Sequence, residues 1–403
     1  MGHMRAFTTF LVEEPTEEKL KHLEHPEDHL IKSGETGFHH AFNTLKTTAE
    51  YLQGQESGTR LMTKYDGAPS VVFGRNPENG KFFVASKSAF NKNPKINYTA
   101  ADIETNHGHA PGLVSKLKAA LKYLPKVAPR VGVYQGDFLY NKADNDVSEQ
   151  GKEYHFKPQL INYTAAQNSK TGRLIKNAQI GFAVHTGYAG NNLANMKANY
   201  TPDVNGFGRD PAVHLHTWNE SFNPKDAAYT DAEHAKFKEH MNAAGALFKS
   251  ADRGLVFNHE PEMQEHLATY VNQTVRSGTQ PSVAGLQQHI QARHGRAIEA
   301  VKTEKSKATK QASMQADLAK VKANKSNFDT MFKIHHHMQQ AKNALMPALH
   351  RGDKNEYKYS ILGAETGPEG FVTVTKENRP TKLIDRGAGG FANLNLQKGG
   401  FGK

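Results

Sequence analysis

The stretch from residue 225 to residue 350 constrains the fold more than any other feature of the chain. It is long, polar and rich in Ala, Lys, Gln and His, and it contains almost no β-type sequence. Such a composition favours helices over strands. The flanking ranges 60–190 and 357–386 instead carry short apolar runs separated by Gly, Asn and Pro, which predict strands. The sequence therefore predicts an α+β body that a helical insertion divides.

This change in amino-acid composition also sets the predicted domain limits. Residues 5–224 would form the first part of the body, 225–356 the insertion and 357–403 the last part, while residues 1–4 resemble an expression-vector remnant. Helices are predicted over residues 15–55 and Gly112–Leu124, and loops over the Gly-rich tail after Arg386. Strands are predicted at Pro69–Gly74, Phe82–Ala85, Val131–Tyr134, Leu160–Tyr163, Ile180–His185, Gly370–Thr375 and Thr381–Ile384.

The charge balance suits a polyanionic partner. The 403 residues carry a formal net charge of +11 at pH 7, and lysine and arginine bind nucleic acid by displacing its counterions. There is no cysteine, which excludes disulfides, cysteine zinc sites and cysteine nucleophiles and fits a reducing cytoplasm. No apolar run is long enough to span a bilayer, so we expect no membrane partner.

The sharpest local signal is the sequence TKYDGAPS at residues 63–70. A lysine amine can attack the α-phosphorus of a nucleotide, provided that a nearby positive charge or a metal lowers its pKa. On an extended chain, Lys64 and Asp66 would lie on one face, and Gly67 would permit the turn that follows. A surface turn with an incidental lysine remains the alternative interpretation of this segment alone.

Other segments offer the further groups that such chemistry needs. Lys87 follows a strand, where a cation could hold phosphates, and Asp137 closes an apolar run, where a carboxylate could hold a ribose hydroxyl or a metal. Phe182 offers a ring for stacking on a purine. Glu369 stands at the head of a strand and suits a divalent cation, and Lys382 could neutralise the α-phosphate and lower the pKa of Lys64.

These residues resemble the ordered motifs of the covalent nucleotidyltransferase superfamily, which contains DNA ligases, RNA ligases and mRNA capping enzymes. The superfamily's Lys-x-Asp-Gly motif matches residues 64–67, and its Glu-Gly-(Val/Leu/Phe)-Val motif matches residues 369–372. Asp137 stands where the superfamily usually has Glu. The whole chain also resembles uncharacterised proteins of large tailed phages through Lys92-Asn93-Pro94, Gln135-Gly136-Asp137 and His185-Thr186-x-Tyr188.

The resemblance implies a ligase-type fold with antiparallel sheets like those of ATP-grasp proteins, and a role for each matched residue. ATP would react with Lys64 to give a lysyl-AMP intermediate, with magnesium or manganese supporting each step. The catalytic set would be Lys64, Asp66 and Lys382. The metal ligands would be Asp137 and Glu369, which would also contact the nucleotide. The remaining nucleotide contacts would come from Thr63, Gly67, Lys87, Phe182 and Lys382.

The resemblance leaves the polymer open but favours RNA. Only residues 383–403 follow Lys382, too few for the C-terminal OB domain that DNA ligases and capping enzymes of this superfamily usually carry. DNA nick sealing by the same chemistry is the first alternative. A non-catalytic nucleic-acid-binding protein, a structural phage protein and an adenylyltransferase of proteins or small molecules are the others. If a phage encodes the chain, we expect it in the cytoplasm of the infected bacterium.

A run of lysines within the insertion is a candidate acceptor-binding surface. It contains few compensating acids, and it could follow a phosphate backbone or simply form a solvated helix face. Its members are Lys302, Lys305, Lys307, Lys310, Lys320, Lys322 and Lys325.

Overall fold

A computed structural model describes residues 23–386 of the chain. The predicted vector remnant, the start of the predicted N-terminal helix and the Gly-rich tail lie outside this range. The helices are α1 (Pro26–Leu52), α2 (Ala100–His107), α3 (Pro111–Tyr123), α4 (Lys170–Asn177), α5 (Trp218–Ser221), α6 (Asp231–Ser250), α7 (Arg253–Phe257), α8 (Pro261–Ser277), α9 (Val283–Glu299), α10 (Glu304–Ala323) and α11 (Lys325–Gly352).

The described range also contains fourteen strands. Helices and strands together confirm the predicted α+β class. The strands are β1 (Arg60–Lys64), β2 (Ser70–Arg75), β3 (Phe82–Ala85), β4 (Val133–Asn141), β5 (Val147–Gln150), β6 (Glu153–Phe156), β7 (Asn162–Ala166), β8 (Ile180–Ala189), β9 (Lys197–Asn199), β10 (Val213–His216), β11 (Lys358–Ile361), β12 (Ala364–Thr366), β13 (Gly370–Val374) and β14 (Pro380–Leu383). Each of the seven predicted strands overlaps one of these, and Gly112–Leu124 overlaps α3.

The strands form three open sheets. A small sheet has the order β1-β13-β14, a central sheet has the order β10-β8-β4-β2-β3 with β9 beside β8, and a third has the order β12-β11-β7-β6-β5. Within the described range these pairs are antiparallel except β8 with β10. In the small sheet, Lys64 pairs with Gly370 and Lys382 pairs with Val372. The small sheet thus joins the segments on either side of the helical stretch.

The helices of residues 231–352 share one apolar core with the N-terminal helix α1. Leu45 of α1, Leu267 of α8 and Met338 of α11 belong to this core, and so do Phe371 and Leu383 of the small sheet. Burial of such side chains is the main favourable contribution to the packing of these helices. The helical stretch is therefore predictable from its composition, whereas its contact with α1 and the small sheet is a finding of the structure.

Buried charges also join α1 to the last helix and to the end of the chain that the structure describes. Lys342 of α11 donates a hydrogen bond to Glu27 of α1 over 2.6 Å, and both side chains are 0% exposed. Burial lowers the pKa of Lys342, although Glu27 opposes that effect. Beside this pair, Arg386 donates from Nη2 and Nη1 to the two carboxylate oxygens of Asp28 over 2.7 and 2.9 Å.

Candidate active site

A cleft of about 620 Å³ is lined by side chains of both the small and the central sheet. The small sheet contributes from β1, β13 and β14, and the central sheet contributes from β2, β4, β8 and β10. Segments far apart in sequence therefore meet at one cavity. The predicted site residues that line it are Thr63, Lys64, Gly67, Lys87, Asp137, Glu369 and Lys382.

Lys64 ends strand β1 with its side chain in this cleft. Its Nζ lies 2.5 Å from Oε2 of Glu369, a residue 305 positions later in the chain. Burial alone would lower the pKa of Lys64, but the carboxylates of Glu369, Asp137 and Asp66 outweigh burial and raise it. The expectation that neighbouring positive charge lowers the pKa of Lys64 is therefore wrong for the protein alone, because three acids surround the amine.

The second predicted lysine and its acidic neighbour come from the adjacent strands. Glu369 directly precedes β13, and burial raises its pKa although Lys64 opposes the shift. Lys382 lies on β14, where burial and then Arg386 lower its pKa, with Lys64 as a weaker cause. The pairing of β1 with β13 and of β13 with β14 sets these side chains at one end of the small sheet. The cleft thus holds two lysines and a half-buried acid within a single layer.

Asp137 enters the cleft from strand β4 of the central sheet. It pairs with Ser70 of β2, and its Oδ2 lies 3.6 Å from Nε2 of His185. Burial would raise the pKa of Asp137, but His185 and Ser70 lower it overall. A Cβ added to Gly67 would lie 2.7 Å from Cβ of Asp137 and 2.9 Å from the carbonyl oxygen of Phe138. Only glycine therefore lets the chain after Lys64 run this close to β4.

Asp66 does not line the cleft, so its predicted catalytic role is not supported by its position. Its Oδ2 accepts hydrogen bonds from the backbone nitrogens of Leu160 and Ile161 over 2.7 and 2.9 Å. The carboxylate therefore fixes the segment before β7 against the chain that follows β1. Its charge still reaches Lys64, because it contributes to the raised pKa of that amine.

Thr63 and Lys87 border the cleft in different ways. The hydroxyl of Thr63 is buried and lies 2.9 Å from Oδ1 of Asp353, so it holds β1 in place. Lys87 is exposed at the start of a short 3-10 turn after β3. Its side chain lines the cleft, and its role in holding phosphates stays a prediction.

Phe182 is not in the cleft, and the prediction that it stacks on a base is wrong. Its side chain is 0% exposed and makes edge contacts with Phe73 and Phe138, at centroid distances of 5.4 and 5.2 Å. The ring faces the core beneath α3 because the register of β8 turns it away. Aromatic side chains that do line the cleft are Tyr65, Tyr188, Tyr200 and Trp218.

His185 and Gln135 are among the polar side chains of the cleft that were not predicted as site residues. His185 lies at an irregularity in the pairing of β4 with β8, which carries it to Asp137. Gln135 accepts a hydrogen bond from Tyr188 over 2.5 Å and donates one to Ser70 over 2.7 Å. The motif His185-Thr186-x-Tyr188, directly after an apolar run, is the signal that points to this polar patch.

The sequence matches a family of unknown function, DUF6267, over residues 20–398. The chain belongs to the DUF6267 family. The matched range contains every side chain of the cleft described above. No curated protein and no solved structure matches the chain.

The groups that this DUF6267 cleft offers define which ligands fit it. Asp137 and Glu369 present carboxylate oxygens, the donors that magnesium and manganese prefer. Lys64, Lys87 and Lys382 present ammonium groups that suit phosphates. Among residues 23–386, no helix is both long and apolar enough to cross a membrane.

Proposed function

We propose that this protein is a covalent nucleotidyltransferase of the polynucleotide-ligase type, with ATP as the nucleotide and RNA as the favoured polymer. The observation that carries the proposal is the convergence of Lys64, Glu369 and Lys382, together with Asp137, on one cleft. These residues come from four separate segments of the chain. We extend the proposal to the fold, in which the sheets around the cleft form a ligase-type core and residues 225–356 form an insertion.

In the proposed first step, Nζ of Lys64 attacks the α-phosphorus of ATP. A nitrogen–phosphorus bond forms, the bond from the α-phosphorus to the bridging oxygen breaks, and pyrophosphate leaves with that oxygen. Lys64 is held as an ammonium ion by its acidic neighbours, so it must first lose a proton. Its side chain is 26% exposed, which lets solvent water in the cleft accept this proton and the one released as the bond forms.

The remaining steps transfer AMP and join the polymer. The 5′-phosphate of a nucleic acid attacks the phosphorus of lysyl-AMP, which frees Lys64 and gives a 5′-5′ pyrophosphate linkage. A 3′-hydroxyl then attacks the terminal phosphorus of the polymer, a phosphodiester forms, and AMP leaves. Lys382 and Lys87 would contact phosphates in these steps. Preorganised cations of this kind stabilise charge that develops on the transferred group.

The two carboxylates of the cleft give the proposal its metal ligands. Magnesium or manganese held by Asp137 and Glu369 would neutralise two of the acids that raise the pKa of Lys64 and would spread the phosphate charge. With these acids neutralised, the positive charge of Lys382 would favour the uncharged amine. Stacking of adenine moves in this proposal from Phe182 to the aromatic side chains that line the cleft.

A labelling experiment tests the first step. We expect the wild type, incubated with α-³²P-ATP and magnesium or manganese, to retain label through denaturing electrophoresis, and Lys64→Ala and Lys64→Arg to retain none. Lys376→Ala is the matched control, because Lys376 lies on the turn between β13 and β14 with its side chain 75% exposed. Label that persists in both Lys64 variants rejects Lys64 as the nucleophile. A folded wild type that takes no label from ATP, GTP or NAD contradicts the proposal.

A second assay separates the possible polymers. The wild type is incubated with single-stranded RNA, nicked double-stranded RNA and nicked DNA, each with a 5′-phosphate and a 3′-hydroxyl. We expect joining of RNA to be faster than sealing of DNA. Faster sealing of nicked DNA would make the protein a DNA ligase, and labelling without joining would favour transfer of AMP to a protein or small molecule.

A further inference from the structure

Three helices of the insertion bring four metal-ligating side chains together, far from the cleft in the chain. Glu262 and His266 are four positions apart and lie on one face of α8, while His294 lies on α9 and Asp317 lies on α10. One ligand atom from each side chain lies within 4.8 Å of the other three. His266, His294 and Asp317 are buried, and Glu262 is exposed at the rim.

The imidazole of His266 has no hydrogen-bond partner that explains its burial. Its side chain is 3% exposed, and neither Nδ1 nor Nε2 makes a hydrogen bond. Buried polar atoms are nearly always paired, because an unpaired one loses its hydration without compensation. Nε2 of His266 lies 3.6 Å from Oδ2 of Asp317, and Nε2 of His294 lies 3.0 Å from the same oxygen. Two ring nitrogens therefore approach a single buried carboxylate.

We propose that Glu262, His266, His294 and Asp317 bind one zinc ion. Two imidazoles and two carboxylates form a donor set that suits Zn²⁺, whereas Mg²⁺ prefers oxygen ligands alone. Ligand atoms about 2.0–2.1 Å from a tetrahedral ion lie roughly 3.3 Å apart. The two nitrogen–oxygen distances of 3.0 and 3.6 Å bracket that value. Small side-chain movements, with Glu262 closing from the rim, complete the coordination.

The packing of α10 shows what the ion would do. Of the 20 residues in this helix, only Asp317 and Val321 are buried. Apolar burial alone therefore gives α10 little attachment to its neighbours. An ion shared by α8, α9 and α10 would attach it through Asp317. All four protein ligands close the site, which is the arrangement of structural rather than catalytic zinc.

Binding is tested on the full-length protein after dialysis against EDTA. Zinc is titrated in competition with a chromophoric chelator, and we expect one tight site per chain. His266→Gln and His294→Gln should each weaken zinc binding at least about tenfold. Replacing a residue that only hydrogen-bonds a metal ligand already weakens metal binding by about that factor. Zinc should raise the melting temperature of the wild type and have little effect on that of His266→Gln.

Two other histidines provide matched controls. His289 is buried close to His266 but hydrogen-bonds Thr269 and Gln273, so His289→Gln should keep the tight site. The imidazole of His337 lies near that of His240, with 3.1 Å between the two Nδ1 atoms, and this pair could bind zinc independently. His337→Gln should leave the stoichiometry unchanged. Loss of the tight site in His337→Gln, and not in His266→Gln, would overturn the assignment.

A measurement on the wild type avoids any dependence on whether the variants fold. Cobalt added to the EDTA-treated protein should give the intense visible absorption of a four- or five-coordinate ion with nitrogen and oxygen ligands, and equimolar zinc should remove it. The weak spectrum of an octahedral cobalt ion, or the absence of stoichiometric binding, would overturn the proposal. So would competition by magnesium at concentrations comparable to that of zinc.

Discussion

Two lysine–glutamate pairs distinguish the cleft from the helical core. Lys64 lies 2.5 Å from Glu369, and Lys342 lies 2.6 Å from Glu27. The first lysine is 26% exposed in a cavity, whereas the second is 0% exposed between α1 and α11. Acidic neighbours raise the pKa of Lys64, while burial lowers that of Lys342. The two lysine–glutamate contacts are therefore nearly equal in length, but one is partly exposed in a cleft and the other is fully buried between helices.

The comparison shows that access decides what a paired lysine can do. A ligand that enters the cleft would meet both Lys64 and Glu369, because both side chains line it. Lys342 and Glu27 are 0% exposed, so a ligand could reach them only if α1 and α11 separated. Their pair therefore contributes to the stability of the fold. A strongly shifted pKa alone does not distinguish these cases, since structural ion pairs shift pKa values as catalytic ones do.

The largest expected difference between the two pairs is in stability. Lys342→Ala leaves Glu27 as a buried charge without its closest partner, so we expect the free energy of unfolding to fall by about 3–5 kcal/mol. Lys64→Ala should change it by less than about 1 kcal/mol, because the cleft pair is partly hydrated. Urea unfolding measures both. Recovery of most of the loss in Lys342→Met combined with Glu27→Leu is the control, and equal losses for the two alanine variants would break the comparison.

The second prediction concerns the pH dependence of the proposed lysyl-AMP formation. Because its acidic neighbours raise the pKa of Lys64, the uncharged fraction should rise about tenfold per pH unit while the ammonium form predominates. Single-turnover labelling between pH 6 and 9 should follow this rise. Lys382→Met removes the positive charge that favours the uncharged amine and should move the profile to higher pH. A labelling rate that does not change between pH 6 and 9 would contradict the conclusion that Lys64 starts as an ammonium ion.

Gly67→Ala tests how closely the chain after Lys64 must approach β4. The added methyl group would overlap Cβ of Asp137 and the carbonyl oxygen of Phe138, so we expect a loss of about 1–3 kcal/mol in the free energy of unfolding. Labelling should slow because Asp137 is displaced. Gly112→Ala is the control, since no atom lies within 4 Å of its added Cβ. Unchanged stability and labelling of Gly67→Ala would show that the contact is dispensable.

The smallest effect is expected at the lysines of α10. Replacing Lys305 and Lys310 by Ala should weaken binding of single-stranded RNA and reduce the slope of log affinity against log salt by about 1.4. Fluorescence anisotropy at several salt concentrations measures this slope. The same substitutions at the exposed residues Lys122 and Lys152 are the control. Equal slopes for the two double variants would favour a merely solvated helix face.

Much of the secondary structure could be predicted because it is encoded locally. The apolar runs of β2, β3, β8, β13 and β14 mark their strands directly, and composition alone identifies the helical stretch. The cleft residues of β1, β4 and β14 could be predicted because the motifs around them resemble, in the same order, those of the covalent nucleotidyltransferase superfamily. None of this required knowledge of a contact between distant segments.

What could not be predicted depends on register and packing. Phe182 faces the core because of how β8 pairs with β4, and an apolar run alone does not reveal that choice of face. Asp66 accepts hydrogen bonds from two backbone nitrogens that come close to it only in the folded chain. The raised pKa of Lys64 and the cluster around His266 likewise come from residues widely separated in sequence.

The pairing of β1 with β13 joins residues 60–64 to residues 370–374. During synthesis on a ribosome, strand β1 emerges long before its neighbour exists. A nascent chain that ends within α11 would expose Lys64 without Glu369 and without Lys382. Because β13 and β14 follow α11 in the chain, the complete cleft would exist only in chains translated past residue 384, and under the proposed function shorter fragments would not react with nucleotides.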